Sequence, residues 1–161
     1  MGVAIKVFCT RIVLLAVPLA LCACSVGAAA PQSASDGVPA SGAAGDSIAV
    51  TLKQWSVVPS ATAASSAGGA VTFTVTNRGT IPHEFVVLRT DTRAAAIPVS
   101  SYEGEAGRLD EDTAGENVGE TGDLDPGTVK TLALRLQPGH YVFFCNLPGH
   151  YGNGMHTDFT V

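Results

Sequence analysis

Tyr141-Val142-Phe143-Phe144-Cys145-Asn146-Leu147-Pro148-Gly149-His150-Tyr151-Gly152-Asn153-Gly154-Met155 is an apolar run followed by a loop of turn residues. On an extended chain successive side chains alternate, so Tyr141, Phe143 and Cys145 share one face. If that face points inward, the sulfur sits at the end of a core. Pro148, Gly149, Gly152 and Gly154 then let a short loop curl back on itself. Thiol, imidazole and thioether, five residues apart each time, can converge on one point.

The same period of two runs outward from this stretch. Ile48, Val50 and Leu52 form one apolar face, with Thr51 and Lys53 opposite. Val71, Phe73 and Val75 alternate with threonines, and Leu132, Leu134 and Leu136 with Thr131, Ala133 and Arg135. Met155, Thr157, Phe159 and Val161 share a parity opposite to His156, Asp158 and Thr160. Such patterns make half-buried strands. Turn signals separate them at 67–69, 77–79, 125–127 and 137–139. No amphipathic helix of ten or more residues is expected after residue 47. Several short strands over residues 47–161 imply an all-β sandwich of two sheets packed about 10 Å apart.

A fourth group is expected from another strand. His83 stands at the start of the apolar run Phe85-Val86-Val87-Leu88 and can face the loop across the sandwich end. Two imidazoles and a thiolate, with a weak thioether on the axis, form the blue-copper ligand set. Copper(I) favours the soft sulfurs and copper(II) accepts the imidazoles, so one compromise site serves both states. Zinc could use Cys145, His83 and His150, but a thioether is a poor zinc ligand. Cys145 alone would read as an inert core thiol, and Met155, sharing parity with Phe159, as core packing. Their common spacing to His150 favours ligation. A cysteine nucleophile would need a base and an oxyanion hole, and no such signature appears. His140 and His156 have the opposite parity and are expected away from the site. Trp55 reads as a core or strand-end anchor.

These residues resemble the cupredoxin family of plastocyanin, azurin and auracyanin. The matching motifs are Pro82-His83-Glu84-Phe85, the Cys-x4-His-x4-Met loop from Cys145 to Met155, and Pro138-Gly139-x-Tyr141 before it. The resemblance covers roughly residues 47–161 and implies an eight-stranded Greek-key β-sandwich. It also implies one copper ion held by His83, Cys145, His150 and Met155, with the Glu84 amide donating to the Cys145 sulfur.

The formal charge is −5, and without residues 1–23 seven basic residues face fourteen acidic ones. Such a surface repels nucleic acid. Three of the four cysteines lie before residue 25, so the domain has no disulfide framework. Lys6 and Arg11 precede the 12-residue apolar run Ile12–Ala23, short of the ~20 residues that a spanning helix needs. Residues 1–23 are therefore expected to be an export signal. Leu21-Cys22-Ala23-Cys24 resembles a lipoprotein box, apart from the cysteine at its middle position. It implies a lipid on Cys24 and a membrane tether, with ordinary cleavage and an uncleaved anchor as alternatives. Residues 24–46 are Ala, Ser, Gly and Pro with little to bury, a flexible linker. The acidic stretch within 89–124 reads as a solvated excursion or as a docking patch for a basic partner.

Two functions fit. The first is a monomeric, non-enzymatic one-electron carrier of the cell envelope, exchanging with redox-protein donors and acceptors or a membrane respiratory complex. Its docking collar would be Leu147, Pro148 and Tyr151 around the His150 edge. The second is a copper carrier, delivery factor or sensor. Carriers often expose methionine-rich runs, and only Met155 remains once Met1 is lost with the signal.

Overall fold

The computed structural model describes residues 45–161 apart from 66–68 and 103. The expected signal, its cysteines and nearly all of the linker lie outside the described residues. Among the described residues ten strands and one short α-helix follow in order, with single 3-10 turns at Ala94–Ala96 and Tyr151–Asn153. They are β1 (Ser47–Lys53), β2 (Ser56–Pro59), β3 (Val71–Asn77), β4 (Val86–Arg89), β5 (Ser100–Tyr102), β6 (Glu105–Arg108), α1 (Glu111–Ala114), β7 (Glu116–Glu120), β8 (Val129–Leu134), β9 (His140–Phe144) and β10 (His156–Thr160).

Two four-stranded sheets form the sandwich, ordered β2-β1-β3-β8 and β10-β9-β4-β7. The chain passes between them three times, after β3, β7 and β8, so sequence neighbours often lie in opposite sheets. In the first sheet β1 runs parallel to β3, and the other pairs are antiparallel. Every pair of the second sheet is antiparallel. The alternation read from the sequence holds on β1 and β3: Ile48, Val50, Leu52, Val71, Phe73 and Val75 all point inward and are buried. They meet Phe85, Val87, Tyr141, Phe143 and Phe159 of the opposite sheet in one cluster. Phe73 is the hub, with Phe85 and Phe143 at ring-centroid distances of 5.5 and 5.3 Å. Cys145 and Met155 belong to the same cluster.

The eight-stranded sandwich expected from the resemblance is present, and the ribbon β5–β6 lies outside it. The stretch 89–124 differs from the simple solvated excursion. β7 is an edge strand of the second sheet, paired with β4. Leu109, Ala94 and Ile97 are buried and pack with Val86, Leu88, Val142, Phe144 and Tyr151. The second sheet is thus covered on both faces, which is why β4 and β9 are continuous rather than alternating apolar runs. Few apolar anchors dispersed among acids gave the segment its solvent-facing appearance. Among the described residues no helix is long and apolar enough to cross a membrane.

Candidate metal centre

His83 is placed by a loop that Asn77 organises. β3 ends at Asn77, whose fully buried side chain donates to the carbonyls of Ile81 (2.9 Å) and Leu124 (2.8 Å). Its Oδ1 accepts from the Gly79 amide at 2.8 Å. His83 then exchanges backbone bonds with Leu124, at 3.1 and 2.7 Å. Gly79 lies against the imidazole: a Cβ there would fall 2.7 Å from His83 Nε2. Only a residue without a side chain leaves that room.

The other groups come from the loop between β9 and β10. The Cys145 amide donates to the Met155 carbonyl at 3.1 Å, and the Met155 amide to the His150 carbonyl at 3.1 Å. Residues 145, 150 and 155 are therefore stitched side by side, as the glycine-rich spacing predicts. Cys145 Sγ is 3.1 Å from His150 Nδ1, which is 3.2 Å from His83 Nδ1. The three donor atoms all lie within 4.8 Å of one another, and all three residues are buried. The Glu84 amide donates to Sγ at 3.3 Å, as the resemblance implied. Met155 is fully buried beside them.

Electrostatics leave this cluster neutral without a cation. Burial pushes the Cys145 thiol up to about 11, although the amides of Glu84 and Leu147 pull the other way. Burial, and then the neighbouring His150, bring His83 down to about 4; burial lowers His150 also. Two neutral imidazoles that face each other through like nitrogens can share only one proton. A soft cation between both rings and the sulfur would satisfy the two facing Nδ1 atoms and Sγ at once. The set of two nitrogens, one thiolate sulfur and an adjacent buried thioether suits copper better than zinc.

Behind the site, the Asn146 amide donates to Glu84 Oε1 at 2.7 Å. Burial raises the Glu84 carboxyl to about 7; that Asn146 bond opposes the rise, and Glu111, Glu120 and Asp123 add to it.

Around the site some residues differ from expectation, wholly or in part. Tyr151 is not part of an exposed collar: it is buried, and its hydroxyl donates to the Ala94 carbonyl. The excursion covers it. Trp55 is a strand-end residue, in the turn between β1 and β2, but at 41% exposure it is not core. Its indole stands edge-on to the His150 ring, centroids 4.9 Å apart. Gln54 ties that turn to the His83 loop through the Thr80 hydroxyl (2.7 Å) and amide (3.3 Å). His150 itself is only 8% exposed. His140 and His156 lie away from the cluster, as parity predicts. His140 is nevertheless half-buried, bonded to the Thr90 carbonyl and Asp158, and His156 packs on Tyr151.

Comparison with known proteins gives one family and several solved structures of one fold. The model of the sulfocyanin (SoxE) domain matches residues 61–161. Curated proteins gave no match. Among solved structures, auracyanin from the photosynthetic bacterium Roseiflexus castenholzii is similar at 23% identity. That match has a TM-score of 0.52 and covers 71% of this chain and 95% of that one. Azurin iso-2 from Methylomonas sp. strain J is similar at 15% identity and a TM-score of 0.52, covering 71% and 96%.

Proposed function

Because the chain belongs to the sulfocyanin (SoxE) domain family of blue-copper cupredoxins, whose cofactor is one copper ion, we propose that it is a one-electron carrier. In this reading His83, Cys145, His150 and Met155 hold the metal, and the protein is not an enzyme. The observation that carries it is the buried triangle of His83 Nδ1, Cys145 Sγ and His150 Nδ1.

Bound there, copper supplies a one-electron couple between its cupric and cuprous states. The rest is the work of the chain. Cys145 has to release its proton to become a ligand, and the Glu84 and Leu147 amides favour the thiolate that results. Asn77 and the Leu124 bridge hold His83, and the loop bonds hold the other donors, so little has to move when the charge changes. Burial of the whole set favours retention of the metal over its delivery.

The redox partner docks where His150 comes nearest to solvent, beside Leu147, the exposed Pro148 and Trp55. The export signal and a lipid on Cys24 would place the domain in the cell envelope, on a tether that reaches redox proteins or a membrane respiratory complex. The test is a visible spectrum and voltammogram of the mature protein with copper(II), beside Cys145→Ser. An intense thiolate-to-copper band that disappears in the variant, with a reversible one-electron wave, supports the carrier. A colourless wild type overturns the copper assignment, and a blue protein without a reversible wave overturns electron transfer.

A further inference from the structure

Residues 105–111 of the acidic segment touch the ligand loop at three points, Asn146, Gly149 and Gly152, each within three residues of a proposed ligand. Asn146, next to Cys145, is fully buried. Its Oδ1 accepts from the Leu109 amide at 2.7 Å. Its Nδ2 donates to the Leu109 carbonyl at 3.2 Å and to Glu111 Oε1 at 2.7 Å. The Gly149 amide, next to His150, donates to the Ala106 carbonyl at 3.0 Å. Gly107 lies against the same residue: a Cβ on it would fall 2.6 Å from Gly149 Cα, and its φ of +78° also favours glycine. Gly152, before Met155, lies just beyond, where an added Cβ would meet Gly107 Cα at 3.5 Å.

We propose that residues 105–111 form a brace that fixes the ligand loop 145–155, with Asn146 the positioning residue that carries the restraint to Cys145. Asn146 is bonded on both sides. Its side chain grips the brace and its amide grips Glu84, whose own amide reaches the sulfur. Displacement of the brace therefore reaches the thiolate through a continuous chain of hydrogen bonds. Surface solvation alone would not require a buried amide side chain with all its bonds made, nor two glycine backbones in contact. The segment then serves as an external splint that keeps one ligand geometry for both oxidation states. This rests on the copper assignment above.

The experiment compares the mature wild type with Asn146→Ala, Gly107→Ala and Glu111→Gln. Glu111 is half-buried at the outer end of the brace, where it accepts from Asn146 and from Asn117, so Glu111→Gln weakens only that end and remains informative if the buried substitution unfolds the domain. Two readouts are taken. Hydrogen exchange of the Gly149 amide in metal-free protein reads the brace without any metal. The positions of the thiolate-to-copper bands and the reduction potential of the loaded protein read its effect on the site. We expect Gly149 exchange roughly tenfold faster in Asn146→Ala and Gly107→Ala, the scale of one lost hydrogen bond, with a smaller increase in Glu111→Gln. Bands and potential should shift in the same order. Folded variants with wild-type exchange, bands and potential would overturn the brace. A wild type without thiolate-to-copper bands would overturn the copper assignment instead, while the metal-free exchange still decides the brace.

Discussion

Cys145 and Trp55 both meet His150, one at its ring nitrogen and the other edge-on to its ring. Trp55 is the sole tryptophan of the chain, so its fluorescence is a direct report on the site. Copper(II) should quench that emission strongly in a one-to-one titration, and Cys145→Ser should blunt the effect. Trp55→Ala should leave the thiolate-to-copper band in place but change the rate of electron exchange with a partner protein, measured by stopped flow. An unaltered rate would remove the indole from the docking surface. Met155 gives a second prediction. Exchange of the weak thioether for an alkyl side chain leaves copper fewer donors in a more apolar site, which favours the lower-charged cuprous ion despite the lost soft sulfur, so Met155→Leu should bind copper, remain coloured and show a higher reduction potential. The cluster that the structure brings together was legible because Cys145, His150 and Met155 carry a regular spacing and His83 opens an apolar run. Trp55 and Gly79 were not. A lone aromatic in a turn has no period to reveal its neighbour, and Gly79 matters only because a ring from four residues on folds against it.

At the scale of elements, the loop from β3 to His83 depends on one side chain. Asn77→Ala would leave the half-buried Ile81 carbonyl and Gly79 amide without that partner and would take from the buried Leu124 carbonyl one of its two bonds, the His83 amide remaining. The expected cost is about 3 kcal/mol, at the upper end for a single unsatisfied buried group. Chemical denaturation of the metal-free protein measures it, and a change under about 1 kcal/mol would mean that water replaces the amide. Asn77 looked in the sequence like the first residue of a turn, which it is. Its second task, to bond Leu124 from 47 residues away, exists only once the sheets have packed. The acidic segment gave a similar partial reading. Its charges correctly marked exposed surface, but Ala94, Ile97 and Leu109 carry no period of their own, so their burial against β4 and β9 was hidden. The continuous apolar runs Phe85–Leu88 and Tyr141–Phe144 were the available signal that both faces of those strands would be covered.

Over the domain as a whole, the loops that carry His83 and residues 145–155 meet at one end, and charge at the flank of β9 and β10 helps to hold the excursion in place. Copper that binds only the folded state should raise stability by about 2.7 kcal/mol at a free concentration 100 times its Kd. Chelation should lower the melting temperature accordingly. The flank supplies an effect of pH. Burial works against the Asp158 carboxylate, but the Ala94 amide (2.8 Å) and the His140 ring (3.0 Å), with Arg93 nearby, hold it below the usual 3.8. The folded state therefore prefers ionised Asp158 more than the unfolded chain does. Its contribution is present above pH 3.8 and disappears as pH falls through the lower value of the folded protein. The carboxylate is partly open to water, so the effect is modest. Asp158→Asn should melt below the wild type near neutral pH, and the two melting curves should converge as the solution is acidified. Thermal unfolding of the metal-free proteins across that range checks this. Curves that stay parallel would mean that the Ala94 and His140 contacts add no stability through charge. The excursion would then be held at that edge by apolar packing alone.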